Sequence, residues 1–189
     1  MLELTENEKS HLLQIARATI QAYLSNGTRY EVNPSTLTEN LTQNGACFVT
    51  LTKNGALRGC IGSLLAYQPL YKDVQKRALQ AAIEDYRFNS VTIQELPKLV
   101  IEISILTPPV KVEYKDSSEM ISKLRPGIDG VTISYGQDQA TFLPQVWEEI
   151  PTHEEFLGHL CRKMGYPKTF WKEDHLEVET YQVIHFQEK

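Results

Sequence analysis

Cys47-Phe48-Val49-Thr50-Leu51-Thr52-Lys53-Asn54-Gly55-Ala56-Leu57-Arg58-Gly59-Cys60-Ile61-Gly62 is the stretch whose reading decides the fold. Two β-rich runs flank Asn54-Gly55, and both residues of that dipeptide tolerate the positive φ that a two-residue hairpin turn demands. The tight turn fixes the register and sets Lys53 opposite Ala56, Leu51 opposite Arg58 and Val49 opposite Cys60. Side chains alternate faces along a strand, so Arg58 and Cys60 share one face, roughly 6–7 Å apart at Cα, while Leu57 and Ile61 point the other way. Gly59 and Gly62 bracket the thiol. Gly inside a strand packs nothing, and close approach of a backbone or a ligand is a common reason for it. Two readings of Cys60 follow. Beside a guanidinium it is a reactive, ligand-facing thiol with a lowered pKa. Alternatively it is a small buried residue, since free Cys is among the most buried types and inert there.

Outward from the hairpin, Thr5-Glu6-Asn7-Glu8 reads as a capping box opening a helix. Leu12, Ile15, Ala16, Ile20, Tyr23 and Leu24 recur at helical spacing, and Asn26-Gly27 ends the run. Residues 28–46 are polar and turn-rich, an ordered loop with room for one short helical turn. After the hairpin, Tyr67-Gln68-Pro69 leads into a long helix running to about Arg87, with Pro69 in its first turn. Leu70, Val74, Ala78 and Ala81 form its apolar stripe. Asp85 falls within about 40° of that stripe at 100° per residue. It also sits near the helix C-terminus, where the macrodipole disfavours negative charge. Two penalties at one carboxylate call for a specific partner, Arg87 or Arg58. Asp85 is then either a site acid, base or orienter, or one half of a structural ion pair.

Leu99-Val100-Ile101-Glu102-Ile103-Ser104-Ile105-Leu106 is the clearest strand, with Leu99, Ile101, Ile103 and Ile105 on one apolar face. Glu102 lies on the other face, either solvated or lining a pocket. Thr107-Pro108-Pro109 stops the strand. Beyond it, short candidate strands (110–114, 131–135 and 140–143) and a short helix over 120–124 are split by Gly and Asp turns, which reads as a small β-rich subdomain over 108–144. Thr152-His153-Glu154-Glu155 is a second capping box, opening a helix that Gly165 closes. Val178 to Phe186 alternates as a final strand. Helices and strands with hairpin-type connections make an α+β fold, an antiparallel sheet flanked by helices plus the small β-rich subdomain.

The chain of 189 residues and net charge −5 is long enough for a core without staples, and its acidity argues against gripping phosphate backbones. Nucleic acid is therefore an unexpected partner. Three scattered cysteines without a C-x-x-C fit a reducing compartment, and no 18-residue apolar run or leader pattern is present, so a cytoplasmic location is expected. No phosphate loop, dinucleotide fingerprint, zinc motif or nucleophile elbow occurs, and no cofactor or metal is expected. His153 and His159 lie about 120° apart around a helix and cannot converge on one ion. A base for Cys60 has to come from afar, with His153 and His175 as candidates.

Leu57-Arg58-Gly59-Cys60-Ile61-Gly62 resembles the signature hexapeptide of the AMMECR family, in bacteria and archaea the "AmmeMemoRadiSam system protein A". Asp85-Tyr86-Arg87-Phe88 resembles the family's D-x-R-F element. Glu95-Leu96, Ile101 to Leu106, Phe142-Leu143-Pro144-Gln145-Val146, Glu155-Phe156-Leu157 and Leu160 to Gly165 follow in family order, so the likeness spans almost the whole chain. Met164 replaces a typical Ala, and Gln137-Asp138-Gln139 is polar where a more basic or apolar run is usual. The resemblance implies a large discontinuous α+β domain, 1–107 with 145–189, around a small β domain, 108–144, and a cleft between them near the hexapeptide. It nominates Arg58, Gly59, Cys60, Asp85, Arg87 and Glu102, and Gly62, which brackets the thiol, joins Gly59 and Glu102 as binding candidates. Cys60 would be nucleophile or covalent holder for a small molecule or modified residue, Arg58 its activator, and Asp85 with Arg87 an orienting pair. The implied partners are Memo-like and radical-SAM proteins. A non-enzymatic binding or scaffold module, whose charged cluster is structural, is the alternative.

Overall fold

The computed structural model describes residues 3–189, so Met1 and Leu2 of the acidic N-terminal stretch lie outside it. The chain divides into two compact units: the first runs to Thr107 and regains Ile184–Lys189, and the second is Pro108–Val183. Helices and antiparallel sheets make up both, an α+β fold.

In the first unit, Thr5 caps α1 (Glu6–Asn26) through the full capping box with Glu8, and Gly27 ends it at φ 67°. The stretch 28–46 holds a 3-10 turn (Pro34–Thr36) and α2 (Glu39–Thr42), and β1 (Asn44–Lys53) starts earlier than its apolar pattern suggests. The turn at Asn54 (φ 52°) and Gly55 (φ 80°) leads into β2 (Ala56–Gly62). β3 (Gln68–Pro69) precedes α3 (Leu70–Ile83), and β4 (Leu99–Leu106) completes the main run. The strands lie in the order β2-β1-β4 and then a last strand, β9, introduced below, while β3 pairs with β1. Cys47, Val49, Leu51, Ile101, Ile103 and Ile105 are fully buried under α1 and α3. Burying a side chain of that size stabilises by about 1.5–3 kcal/mol.

The hairpin register differs from the expected one. Lys53 pairs with Ala56 and Thr52 with Leu57, but Leu51 then pairs with Gly59, Thr50 with Cys60 and Val49 with Ile61. Arg58 is the extra residue of a β-bulge. The reason lies on the helix side. A Cβ at position 59 would stand 2.1 Å from the carbonyl oxygen of Ala81, so α3 packs against bare backbone there. Without the bulge, Arg58 would oppose the fully buried Leu51. The slip takes the guanidinium off the helix-facing register and puts Gly59 in it. It also separates Leu57, opposite half-exposed Thr52, from Ile61, opposite buried Val49.

α3 ends at Ile83, short of the expected Arg87. Asp85 therefore lies in the turn beyond the helix, not on its stripe. Its carboxylate accepts the backbone N–H of Arg87 at 3.2 Å, an Asx-type turn that reverses the chain, and Val91 N–H returns to the Ala82 carbonyl.

The second unit contains β5 (Val110–Lys111), α4 (Ser117–Lys123), β6 (Gly130–Tyr135), β7 (Asp138–Phe142), α5 (Val146–Glu149), α6 (His153–Met164), α7 (Phe170–Glu173) and β8 (Glu177–Tyr181). Its sheet runs β5-β8-β6-β7. It is larger than the expected 108–144, because Phe156, Leu157, Leu160 and Cys161 of α6 and Val178 of β8 share one core with Val131, Ile133 and Ala140. The expected single strand over 178–186 is two. β8 pairs with β6 (Glu179 opposite Thr132), whereas β9 (Val183–Gln187) lies beside β4 in the first sheet. Among the described residues no helix is long and apolar enough to cross a membrane.

Candidate functional site

β2 is an edge strand of the first sheet, and an edge presents unpaired backbone groups. At Cys60 those groups are covered by side chains from the turn after α3. The Cys60 N–H donates to Asp85 Oδ2 at 2.8 Å, and the Cys60 carbonyl accepts from Arg87 Nη2 at 3.3 Å. Arg87 closes the loop with a two-point grip on Asp85, Nε to Oδ1 at 2.9 Å and Nη2 to Oδ2 at 2.7 Å. Asp85 is 4% exposed, yet the Arg87 guanidinium beside it holds its carboxyl well below the usual carboxylate range. Arg87 is correspondingly raised, first by its bond to Asp85, with the Cys60 thiolate form contributing less. Asp85 thus takes Arg87, not Arg58, as its partner.

Arg58 faces elsewhere. Its Nε and Nη2 donate to Glu95 at 3.0 and 3.1 Å, and Nη2 also reaches the Asn89 carbonyl. Lys53 joins at 2.9 Å, and Arg58 first, then Lys53, pulls Glu95 down to about 2. Phe88 links the two clusters: the guanidinium carbons of Arg87 and Arg58 stand 5.5 and 5.9 Å from its ring centre.

The bulge decides what surrounds the sulfur. Cys60 lies opposite Thr50, and the Thr50 hydroxyl donates to Sγ at 3.3 Å. Thr50 in turn pairs with Glu102 of β4, and His185 Nε2 of β9 stands 3.8 Å from Glu102 Oε2. Cys60, Thr50, Glu102 and His185 therefore form a polar row across four strands, on the sheet face opposite α1 and α3. Three strand spacings separate its ends by about 14 Å, too far for direct proton transfer between His185 and the thiol. Cys60 is half-exposed, whereas Cys47 and Cys161 are fully buried. Among the described residues no group of three His, Cys, Asp or Glu side chains could hold a metal ion.

The two bracketing glycines serve packing. Gly59 admits the Ala81 carbonyl, and Gly62 lies beneath the Phe48 ring, 2.2 Å from where a Cβ would stand. His153 Nε2 donates to the Leu124 carbonyl at 3.1 Å, and His175 stacks beside Tyr114, both within the second unit. Thr50 and His185 escaped the sequence reading. The shifted register hid the first, and the split of the last strand hid the second. A lone Gly59 inside a strand pattern is the signal that could have revealed the bulge.

Comparison with known proteins places this geometry. The AMMECR1 family profile matches residues 13–186. The chain belongs to the AMMECR1 family. Among relatives of this AMMECR1 protein, Protein MJ0810 of Methanocaldococcus jannaschii is 35% identical over 98% of this chain and 92% of its own length. Protein MK0488 of Methanopyrus kandleri is 34% identical over 99% and 91%. The crystal structure of uncharacterized protein PH0010 from Pyrococcus horikoshii superposes with a TM-score of 0.82 at 33% identity, covering 98% of this chain and 94% of that one. In this AMMECR1 chain the hexapeptide supplies the bulge and thiol, and the D-x-R-F element supplies the clamp that fixes the thiol's backbone.

Proposed function

We propose that this AMMECR1 protein handles an anionic small molecule, or a modified residue of a partner protein, at Cys60, together with Memo-like and radical-SAM partners. The sulfur acts as nucleophile or covalent holder. Its proton goes to water, since its neighbour is a hydroxyl and not an imidazole; the thiolate adds to an electrophilic carbonyl carbon, the C=O π pair moves onto the oxygen, and that oxygen takes a proton back from water. Arg87 provides positive charge beside it, the role first expected of Arg58, whose fork is taken by Glu95. Asp85 orients Arg87. Thr50 positions the sulfur. One observation carries this reading: of three cysteines, the half-exposed one is the one whose backbone is pinned on both sides by a charged pair.

Competitive alkylation with iodoacetamide, read by peptide mass spectrometry, tests it. Cys60 should be modified at least tenfold faster than Cys47 and Cys161 in the folded protein. Equal rates for all three end the nucleophile role. A second reading, a non-enzymatic binding module, draws on how the charged groups pair among themselves, Asp85 with Arg87 and Glu95 with Arg58 and Lys53. Pull-down with Cys60→Ser separates the two, because a module keeps its partner and its cellular output.

A further inference from the structure

A pocket opens on the helical side of the first unit, away from the sheet face that carries Cys60. It lies between α1, the outward side of α3 and the loop 28–32, and encloses about 550 Å³, within the range of small-molecule sites. Tyr23 of α1, Tyr30 of the loop and Tyr71 of α3 give it three aromatic walls. Gln75 fastens those walls together: its Nε2 donates to the Tyr30 carbonyl at 2.8 Å and to Thr19 Oγ1 at 3.3 Å. The pocket is therefore held in shape without a ligand.

Two observations point to what fills it. Tyr71 is only 5% exposed, yet its hydroxyl has no hydrogen-bond partner among the described residues. That oxygen is not sealed in the core, so it reaches the pocket and is available to a group arriving from outside. The lining also carries more positive than negative charge, on a chain whose net charge is −5. Lys72 and Lys76 stand one turn apart on α3, and Arg29 faces them from the loop. Lys76 donates to the Tyr67 hydroxyl at 3.1 Å. Lys72 and Arg29 have no ion pair among the described residues. Of the opposing carboxylates, Glu84 accepts from Gln80 and Glu31 is exposed.

We propose that this pocket binds a small aromatic anion. The planar ring lies among the tyrosines, a carboxylate or phosphate sits on Lys72 and Arg29, and a polar ring atom bonds the Tyr71 hydroxyl. A neutral ring would leave the two cations unused, and a bare anion would leave the aromatic walls empty. The proposal is independent of any chemistry at Cys60.

Calorimetric titration of the full chain tests it, with adenosine 5′-monophosphate as the phosphate probe and indole-3-acetate as the carboxylate probe. One of the two should bind one-to-one, and which one distinguishes the anion. Adenosine and inorganic phosphate, the two halves, should each bind at least tenfold more weakly than the phosphate probe if that probe is the one bound. Lys72→Gln, at an exposed helix position, should weaken binding at least fivefold with an unchanged thermal midpoint. Tyr71→Phe, which removes only the hydroxyl, should weaken it severalfold. Neither probe binding, or a probe bound equally well by the parent, Lys72→Gln and Tyr71→Phe, overturns the proposal.

Discussion

α3 and the turn after it carry two aspartates that do the same thing in opposite surroundings. Asp73, in the first turn, accepts the backbone N–H of Cys47 at 3.0 Å and is gripped by Arg77. Asp85, just past the last turn, accepts the backbone N–H of Cys60 at 2.8 Å and is gripped by Arg87. Each is a carboxylate, an arginine and a cysteine backbone, and each ties helix to strand. The difference is access. Asp73 is 0% exposed and its arginine 8%; Cys47 is fully buried, and burial first, then the Asp73 charge, pushes its thiol well up. At the other end the Arg87 side chain is 43% exposed and the cysteine half-exposed. The inner clamp is built to hold and keeps its sulfur protonated. The outer one makes the same kind of grip and leaves its sulfur where a ligand can reach it.

Removing the two carboxylates should break the pair unequally. Asp73→Ala strands the buried Arg77 charge together with Gln68 and the Cys47 N–H, and should cost about 3–5 kcal/mol in urea unfolding. Asp85→Ala frees an arginine that water can take over, and should cost about 1.5–3 kcal/mol. Equal losses would show that the difference in access has no energetic meaning. Gly59→Ala comes next in size. The added methyl meets the Ala81 carbonyl, a backbone atom that cannot swing aside, and overpacking of this kind costs about 1–3 kcal/mol. It should also disturb alkylation at Cys60 while leaving the inner clamp protected, as amide exchange at Cys47 would report.

The acid limb offers a finer contrast. Glu95 is held down to about 2 by Arg58 and Lys53, and Asp85 lies below its own usual range because of Arg87. A carboxylate lowered in the folded state contributes stability that is complete above its unfolded value, about 4, and is lost as pH falls toward the folded one. Stability should therefore fall from about pH 4.5 down to 2. Glu95→Gln should flatten that fall while lowering the plateau near neutrality. An unchanged acid limb would mean that the Glu95 ion pairs survive unfolding or contribute nothing. Arg87→Ala leaves the buried Asp85 carboxylate on backbone N–H partners alone, a loss of about 1–3 kcal/mol that ranks with Gly59→Ala. Its readout is kinetic: the Cys60 alkylation rate should drop severalfold while those of Cys47 and Cys161 stay fixed.

The sequence spoke plainly wherever a feature is local. Asn54-Gly55 formed its turn, Thr5 and Glu8 closed their capping box, and Leu99 to Leu106 is the strand its alternation describes. It was silent where distant atoms decide. Whether the hairpin bulges at Arg58 depends on the Ala81 carbonyl, and where Arg58 points depends on Glu95. The inner clamp went unseen because Asp73 has an unremarkable place in a first helical turn, and its burial comes from β1, some 26 residues earlier. The break near residue 182 left no mark in an alternating run, since either sheet accepts the same pattern of side chains.

That break has a consequence for how the molecule is made. Glu188 accepts from Arg17 through two oxygens and from the Ile101 N–H at 2.9 Å, and its own N–H returns to the Ile101 carbonyl. Arg17 meanwhile holds the Leu96 and Leu99 carbonyls. During translation, then, α1 and β4 emerge early and wait. The edge of β4 stays open until residues 183–188 have cleared the ribosome exit tunnel, and a nascent chain arrested before that point presents a bare strand to whatever chaperone or neighbour is at hand.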